Sequence, residues 1–348
     1  MALSPFPPDV LAQQPPPDPE NPWQTPALIY DYRQAANPIR KGLTDPIPYR
    51  QWSAPPLEAK GSAILPLDLS DALGCAGPAT SPALAAHFLQ LCPGDPLRPQ
   101  ASASSSLFVV LRGTGRLDWP ASTPARDVAD PDASHRPTHP SLPPLAWGEG
   151  DVFLLPHGPC PELVAREPSV LVWVHDEPLL RHLGVVPGGA RFAPCHFPAD
   201  RLNKELDRLL ADPSAARSNR LSILLAHAEL PASRTISPTL WAMVGLVPAG
   251  ASQPPHRHQS VALDLIVDCP PGCCTLVGTE LDAAGQILHP RRIDWEPGTM
   301  FVTPPGHWHA HVNAGDRPAR LLPIQDAGLH TYLRSLDIRF AGGLTGEG

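Results

Sequence analysis

Apolar residues gather along this chain in short runs. The first half holds SAILPLDL, LFVVLRGTGRLDW, DVFLLP and SVLVWVHD; the second holds RLSILLAHAEL, TLWAMVGLVP, VALDLIVD, CCTLVGTEL, GTMFVTPP and ARLLPIQ. The second-half runs are bounded by Gly, Pro, Asn or Asp, the pattern of β-strands between turns. LFVVLRGTGRLDW reads as strand, glycine turn, strand. One segment has the other period. In FPADRLNKELDRLLADP, Leu202, Leu206, Leu209 and Leu210 fall at i, i+4, i+7 and i+8 and predict a helix. Asp200 is its expected N-cap, after Pro198, and Pro213 its stop. Two groups of short strands around one connecting helix predict an all-β protein of two tandem sandwiches or barrels.

Composition sharpens this picture. The 348 residues include 49 prolines, which remove backbone donors and disfavour long helices. Residues 1 to 55 are proline-rich and polar and read as an extended arm with little fold of its own. WPASTPARDVADPDASHRPTHPSLPPLAW is expected to be a long, mobile surface loop. A hydrophobic content of 42% supports a substantial core. No apolar run reaches the roughly 18 residues of a membrane span, and the first residues lack the basic and apolar regions of a secretory signal. A formal charge of -8, a pI near 6.0 and the lack of a basic patch argue against a nucleic-acid partner. Of seven cysteines, Cys269, Cys273 and Cys274 cluster without forming C-x-x-C. All are expected to be reduced thiols, in a cytoplasmic protein.

The candidate chemistry lies in a repeated frame. Gly250 is followed after five residues by His256-x-His258. Gly298 is followed after five residues by Pro304-x-Gly306, then two residues on by His309, and three further on by Asn313. Histidines at i and i+2 of a strand share a face, and a third from another strand completes a metal set with open positions. Pro304 and Gly306 make the turn that delivers His309, and Asn313 closes the next loop. His307 is expected to serve the turn or stand behind the ligands. His311 is expected to be an outer hydrogen-bond partner or a proton carrier. In the first half the same frame recurs, from Gly94 to Gln100-x-Ser102 and from Gly150 to Pro156-x-Gly158 and Pro161. All three ligand positions there are non-histidine.

These two motifs resemble the signatures of the cupin superfamily. The resemblance implies a bicupin: two tandem jelly-roll β-barrels with a short connecting helix. The expected parts are an arm over residues 1–55, a degenerate barrel over 56–185, a linker with the helix over 186–218, and a metal-binding barrel over 219–348. The second half further resembles gentisate 1,2-dioxygenase and related ring-cleaving enzymes, through SPTLWAMVGLVPAGASQPPHRHQSVAL, PGTMFVTPPGHWHAHVNAGDRPA and YLRSLDIRF. That likeness implies Fe(II) on His256, His258 and His309, with His311 near the substrate and O2 as second substrate. Manganese, nickel or zinc are the other metals such a site takes. Edge strands of cupin barrels commonly pair, so a homo-oligomer is expected.

The chain departs from these relatives in two ways. Their site usually lies in the first barrel, and they carry an arginine for the substrate carboxylate at the place of Asp264. Asp264 has the parity of the two ligands and is expected to point inward, beside the substrate; an outward bulge or a local salt bridge is the other reading. An inward carboxylate disfavours an acid substrate unless an arginine compensates. Arg257 has the wrong parity, while Arg291 and Arg292 remain open. Beside the dioxygenase stand two further function classes. One is a non-redox metal cupin (isomerase, lyase or hydrolase) with Asp264 as general base. The other is a ligand-binding cupin without turnover.

Overall fold

The computed structural model describes residues 27–120, 142–213 and 221–343. The chain forms two β-barrels in tandem, each a six-stranded antiparallel sheet faced by a smaller one. In the first, the large sheet runs in the order Cys195–Phe197, Val152–Pro156, Ser105–Arg112, Ser169–His175, Ala85–Leu91, Ala63–Pro66. Its partner sheet is Leu145–Trp147, Gly115–Asp118, Glu162–Ala165. In the second barrel the large sheet runs Gln51–Trp52, Met300–Thr303, Ala262–Asp268, Ala319–Gln325, Trp241–Val247, Leu221–Leu225. Its partner sheet runs Arg291–Asp294, Cys274–Gly278, Trp308–Val312, His256–Arg257, Arg339–Phe340.

The two halves exchange edge strands. Gln51–Trp52 precedes the first barrel but pairs with Met300–Thr303 of the second, Gln51 opposite Phe301 and Trp52 opposite Met300. Cys195–Phe197 precedes the second barrel but pairs with Val152–Pro156 of the first. Met300–Thr303 and Val152–Pro156 occupy the same place in the repeated frame, so the exchange is reciprocal. The end of the proline-rich arm therefore belongs structurally to the distant barrel, while its first 26 positions lie outside the described residues.

Strand alternation divides the apolar residues into three clusters. Leu107, Val109, Val172 and Val174 of one large sheet share a single core with Val244, Leu263, Leu265 and Ile324 of the other, so the sheets pack face to face. The alternate residues fill the barrels. Phe108, Phe153, Leu171 and Trp173 line the first, while Ile266, Val277, Ile293, Trp295 and Phe301 line the second. A buried polar contact also joins the halves. Asp176 accepts from the Ser104 amide at 2.8 Å and from Thr239 Oγ1 at 2.8 Å.

The connecting helix spans Ala199–Leu210. Leu202 and Leu206 are buried, but Leu210 is exposed, so the apolar stripe is shorter than its spacing suggests. Asp200 is not the cap: Pro198 holds that position, and Asp151 of the first barrel accepts from the Ala199 amide at 2.8 Å. A carboxylate more distant in sequence satisfies the orphan donor that a local one was expected to meet. Ala85–Leu91, wholly buried, is a strand that alternation does not reveal, because both of its faces are covered. The expected loop after Trp119 falls chiefly on residues 121–141, outside the described residues. No helix among the described residues is long and apolar enough to cross a membrane. The seven cysteines are free thiols.

Candidate metal centre

His256 opens the strand His256–Arg257, and His309 lies in Trp308–Val312, directly opposite it in register. His258 follows where the chain leaves the strand. The tight turn expected at Pro304–Gly306 is present. Gly306 has φ +74, and its amide donates to the His258 carbonyl at 2.7 Å, tying the two motifs together. Asn313 closes the next loop. Its Nδ2 donates to the Val247 and Arg317 carbonyls at 2.9 and 2.8 Å, and its Oδ1 accepts from the Gly315 amide at 2.9 Å.

These elements bring one ligand atom from each of His256, His258 and His309 to within 4.8 Å of one another. All three residues are buried. Two are oriented by the backbone. His258 Nδ1 lies 2.9 Å from the Ser260 carbonyl, and His309 Nδ1 lies 3.1 Å from the His307 carbonyl. A carbonyl only accepts, so each Nδ1 carries the proton and Nε2 is left as the ligand atom. Ser260 Oγ also lies 2.9 Å from His258 Nδ1 and donates to Gln325 Oε1 at 2.9 Å. The ring of Phe340 stacks on His256, with centroids 5.9 Å apart. Imidazoles on a buried, convergent face are a donor set suited to a divalent transition metal.

His311 lies beside this set without joining it. Its ring centroid is 5.8 Å from that of His309 and 6.1 Å from that of His256. Nδ1 of His311 is 2.9 Å from Thr275 Oγ1, and Thr275 in turn accepts from Trp295 Nε1 at 2.9 Å. His307 is on the turn, its Nδ1 3.1 Å from the Pro305 carbonyl and its ring edge-on to Tyr49 at 5.5 Å.

Asp264 points into the barrel, in line with its parity. It pairs in register with Phe301, a residue of the barrel interior, and accepts from Thr303 Oγ1 at 2.7 Å. Only 2% of it is exposed. The three arginines separate clearly. Arg257 turns outward and lies over the Trp308 ring at 4.8 Å. Arg292 pairs with Asp294 at 2.7 Å on the outer surface. Arg291 lies over the ring of Tyr49 at 5.2 Å. Burial pushes the Tyr49 phenol upward in pKa, against a smaller opposite effect from Arg291.

Thr275, Trp295, Gln325 and Tyr49 also surround the centre, yet nothing in their local sequence singled them out, whereas Ser260 and Thr303 lie within the segments that carried the resemblance. Pairing between distant strands brings Thr275, Trp295, Gln325 and Tyr49 there, while Ser260 reaches His258 from two residues along the chain. Phe340 likewise ends the YLRSLDIRF segment that carried part of the resemblance.

Comparison with known proteins agrees with this geometry. No family model matches the chain. It is 32% identical over 105 residues to gentisate 1,2-dioxygenase 1 of Aquipseudomonas alcaligenes, covering 30% of this chain and 27% of that one. It is 35% identical over 104 residues to gentisate 1,2-dioxygenase of Haloferax sp, covering 30% and 25%. The matched stretch thus spans about a quarter of these curated relatives. Among solved structures, a point mutant of salicylate 1,2-dioxygenase from Pseudoaminobacter salicylatoxidans, in complex with gentisate, superposes with a TM-score of 0.64. The match covers 95% of this chain and 97% of that one at 14% identity. Procruciferin, an 11S globulin of Brassica napus, superposes with a TM-score of 0.53 at 12% identity, over 85% of this chain and 87% of that one. At such identities the likeness is one of fold. The chain shares the two-barrel fold of these structures, and its sequence resembles the gentisate dioxygenases over the matched stretch.

Proposed function

We propose that this protein is an Fe(II)-dependent dioxygenase that opens the ring of a small chelating aromatic compound with O2. The observation that carries the reading is the buried convergence of His256, His258 and His309, within a chain similar to gentisate 1,2-dioxygenases. These three residues would hold the iron. When bound, it supplies the redox chemistry with O2 and the Lewis acidity that lowers the pKa of a chelating hydroxyl.

The chain's own residues supply the rest. The Ser260 and His307 carbonyls hold His258 and His309 in the tautomer that ligates through Nε2. Trp295 donates to Thr275, and in this reading the Thr275 hydroxyl donates a hydrogen bond to Nδ1 of His311. His311 then carries its own proton on Nε2, from which it hydrogen-bonds to the ring substrate and exchanges a proton with it. Asp264 places a buried carboxyl on the interior wall formed by Ala262–Asp268. It offers acceptor oxygens to a ligand hydroxyl or amino group and no cation to a ligand carboxylate. The Phe340 ring keeps water from the far side of His256. The proposal includes a cytoplasmic location, in keeping with seven free thiols, and a homo-oligomeric state.

The test is metal content of anaerobically purified protein, wild type beside His256→Ala, followed by oxygen uptake on the iron-loaded form. About one iron per chain, lost in the variant, together with O2 consumed on adding an aromatic diol or hydroxy acid, is the expected result. Bound metal with no oxygen uptake would refute the dioxygenase. The buried Asp264 carboxylate then favours the non-redox reading, in which it acts as general base and zinc sustains turnover without O2.

A further inference from the structure

The register of the small sheet in the second barrel sets one exposed residue, Arg291, in the same row as the candidate ligands. His256 pairs with His309, His309 with Val277, and Val277 with Arg291. Residues opposite one another across an antiparallel sheet share a face. Val277 belongs to the barrel interior, so this row faces inward and Arg291 is its outermost member. Two strand spacings, about 10 Å, separate the Cα atoms of Arg291 and His309. A ring ligand at the centre and an extended arginine side chain together span that gap.

Across the seam stands the exchanged strand Gln51–Trp52. The Val302 amide donates to the Arg50 carbonyl at 3.0 Å, which continues the pairing one residue beyond Gln51. Tyr49 therefore lies opposite Thr303, with the inward parity of Gln51 and Phe301. Its ring packs on the interior cluster, edge-on to His307, with the Arg291 guanidinium against it at 5.2 Å. Gln51 Nε2 also crosses the seam, to the Asp294 carbonyl at 2.8 Å. Among the described residues Arg291 makes no salt bridge, whereas Arg292 beside it is paired with Asp294.

We propose that Arg291, positioned by the ring of Tyr49, is the substrate-binding residue that receives a carboxylate of the ligand at this centre. The inference rests on the reading of the site given above and deepens it. Asp264 lies buried on the large sheet and Arg291 exposed at the edge of the facing one, so an acceptor and a cation stand on opposite sides of the barrel. A chelating ring acid sits with its carboxylate toward Arg291 and its hydroxyl or amino group toward Asp264. Tyr49 comes from ahead of the first barrel, so an exchanged strand completes the recognition surface of the second. The ring holds the guanidinium in place through a cation–π contact, without neutralising its charge.

The experiment is anaerobic calorimetric titration of the iron-loaded protein with gentisate and, separately, with catechol, which chelates without a carboxylate. In Arg291→Gln, gentisate binding weakens about tenfold or more while catechol stays within about twofold. Tyr49→Ala weakens gentisate in the same sense, and Tyr49→Phe, which keeps the ring, stays within about twofold of wild type. Iron content, measured in parallel, stays at the wild-type level in all three variants. Equal loss of both ligands in Arg291→Gln, or unchanged gentisate affinity in Arg291→Gln and Tyr49→Ala, overturns the proposal while leaving the dioxygenase reading standing. Iron-loaded wild type that binds neither probe overturns that reading and this inference with it.

Discussion

Asp326 follows the strand Ala319–Gln325 and occupies the N-cap position of the helix Ala327–Tyr332. It accepts from the Val261 amide at 2.9 Å, and His330 Nε2 is 3.9 Å away. Burial pushes its carboxyl from the ordinary 3.8 up to about 7, with the Val261 amide opposing the rise. A carboxyl raised on folding contributes stability that is fully present below the unfolded pKa and is lost as pH rises through the folded one. The window here is therefore pH 4 to 7. At about 1.4 kcal/mol per pH unit, the displacement sets a ceiling of about 4 kcal/mol. Some 13% of the side chain reaches solvent, so the realised effect between pH 5 and pH 8 should be about 2 kcal/mol. Asp326→Asn keeps an acceptor for the Val261 amide and stays neutral. Its stability minus that of wild type should grow by that amount from pH 5 to pH 8, with the gain on the alkaline side. Urea unfolding of both proteins across this range, each compared at the same pH, cancels the titration of groups not coupled to Asp326. A difference independent of pH, or one that favours wild type as pH rises, would refute the argument.

Two further outcomes are expected. Asp176→Ala strips acceptors from the Ser104 amide and Thr239 Oγ1 at the junction of the barrels, so it should cost about 3 kcal/mol in denaturant unfolding. A loss below about 0.5 kcal/mol would mean that water replaces the carboxylate at no cost. Trp295→Phe removes the donor to Thr275 and leaves that hydroxyl free to turn from His311. Iron content should hold while the pH profile of turnover shifts. An unchanged profile would remove His311 from proton handling.

Several features of the centre could be read along the chain. The spacing from Gly250 through His256 and His258, and from Gly298 through Gly306, His309 and Asn313, fixes local geometry. A two-residue strand period sets the face of the paired histidines, and a glycine at positive φ makes the turn that delivers the third. Parity likewise turned Asp264 inward. Such relations act over a few residues, where covalent geometry leaves little choice. The second-half runs VALDLIVD, GTMFVTPP and ARLLPIQ contain the strands Ala262–Asp268, Met300–Thr303 and Ala319–Gln325 for the same reason.

Other features depend on which strands meet. Nothing within Tyr49 or Arg291 says that they touch, and 242 positions separate them in the sequence. The same holds for Trp295, Thr275 and His311, aligned by pairing across neighbouring strands. Asp151 replaced Asp200 as the helix's first acceptor because the helix packs against the first barrel. The exchange of Gln51–Trp52 and Cys195–Phe197 has no local signature, since an edge strand needs only free backbone donors and acceptors, which any short extended segment offers. Sequence alone thus picked out the candidate ligands, their common face and the repeat. Tertiary structure decided which arginine shares a strand row with them and which distant strand closes the barrel, because register between strands is set by packing of the whole sheet rather than by either strand.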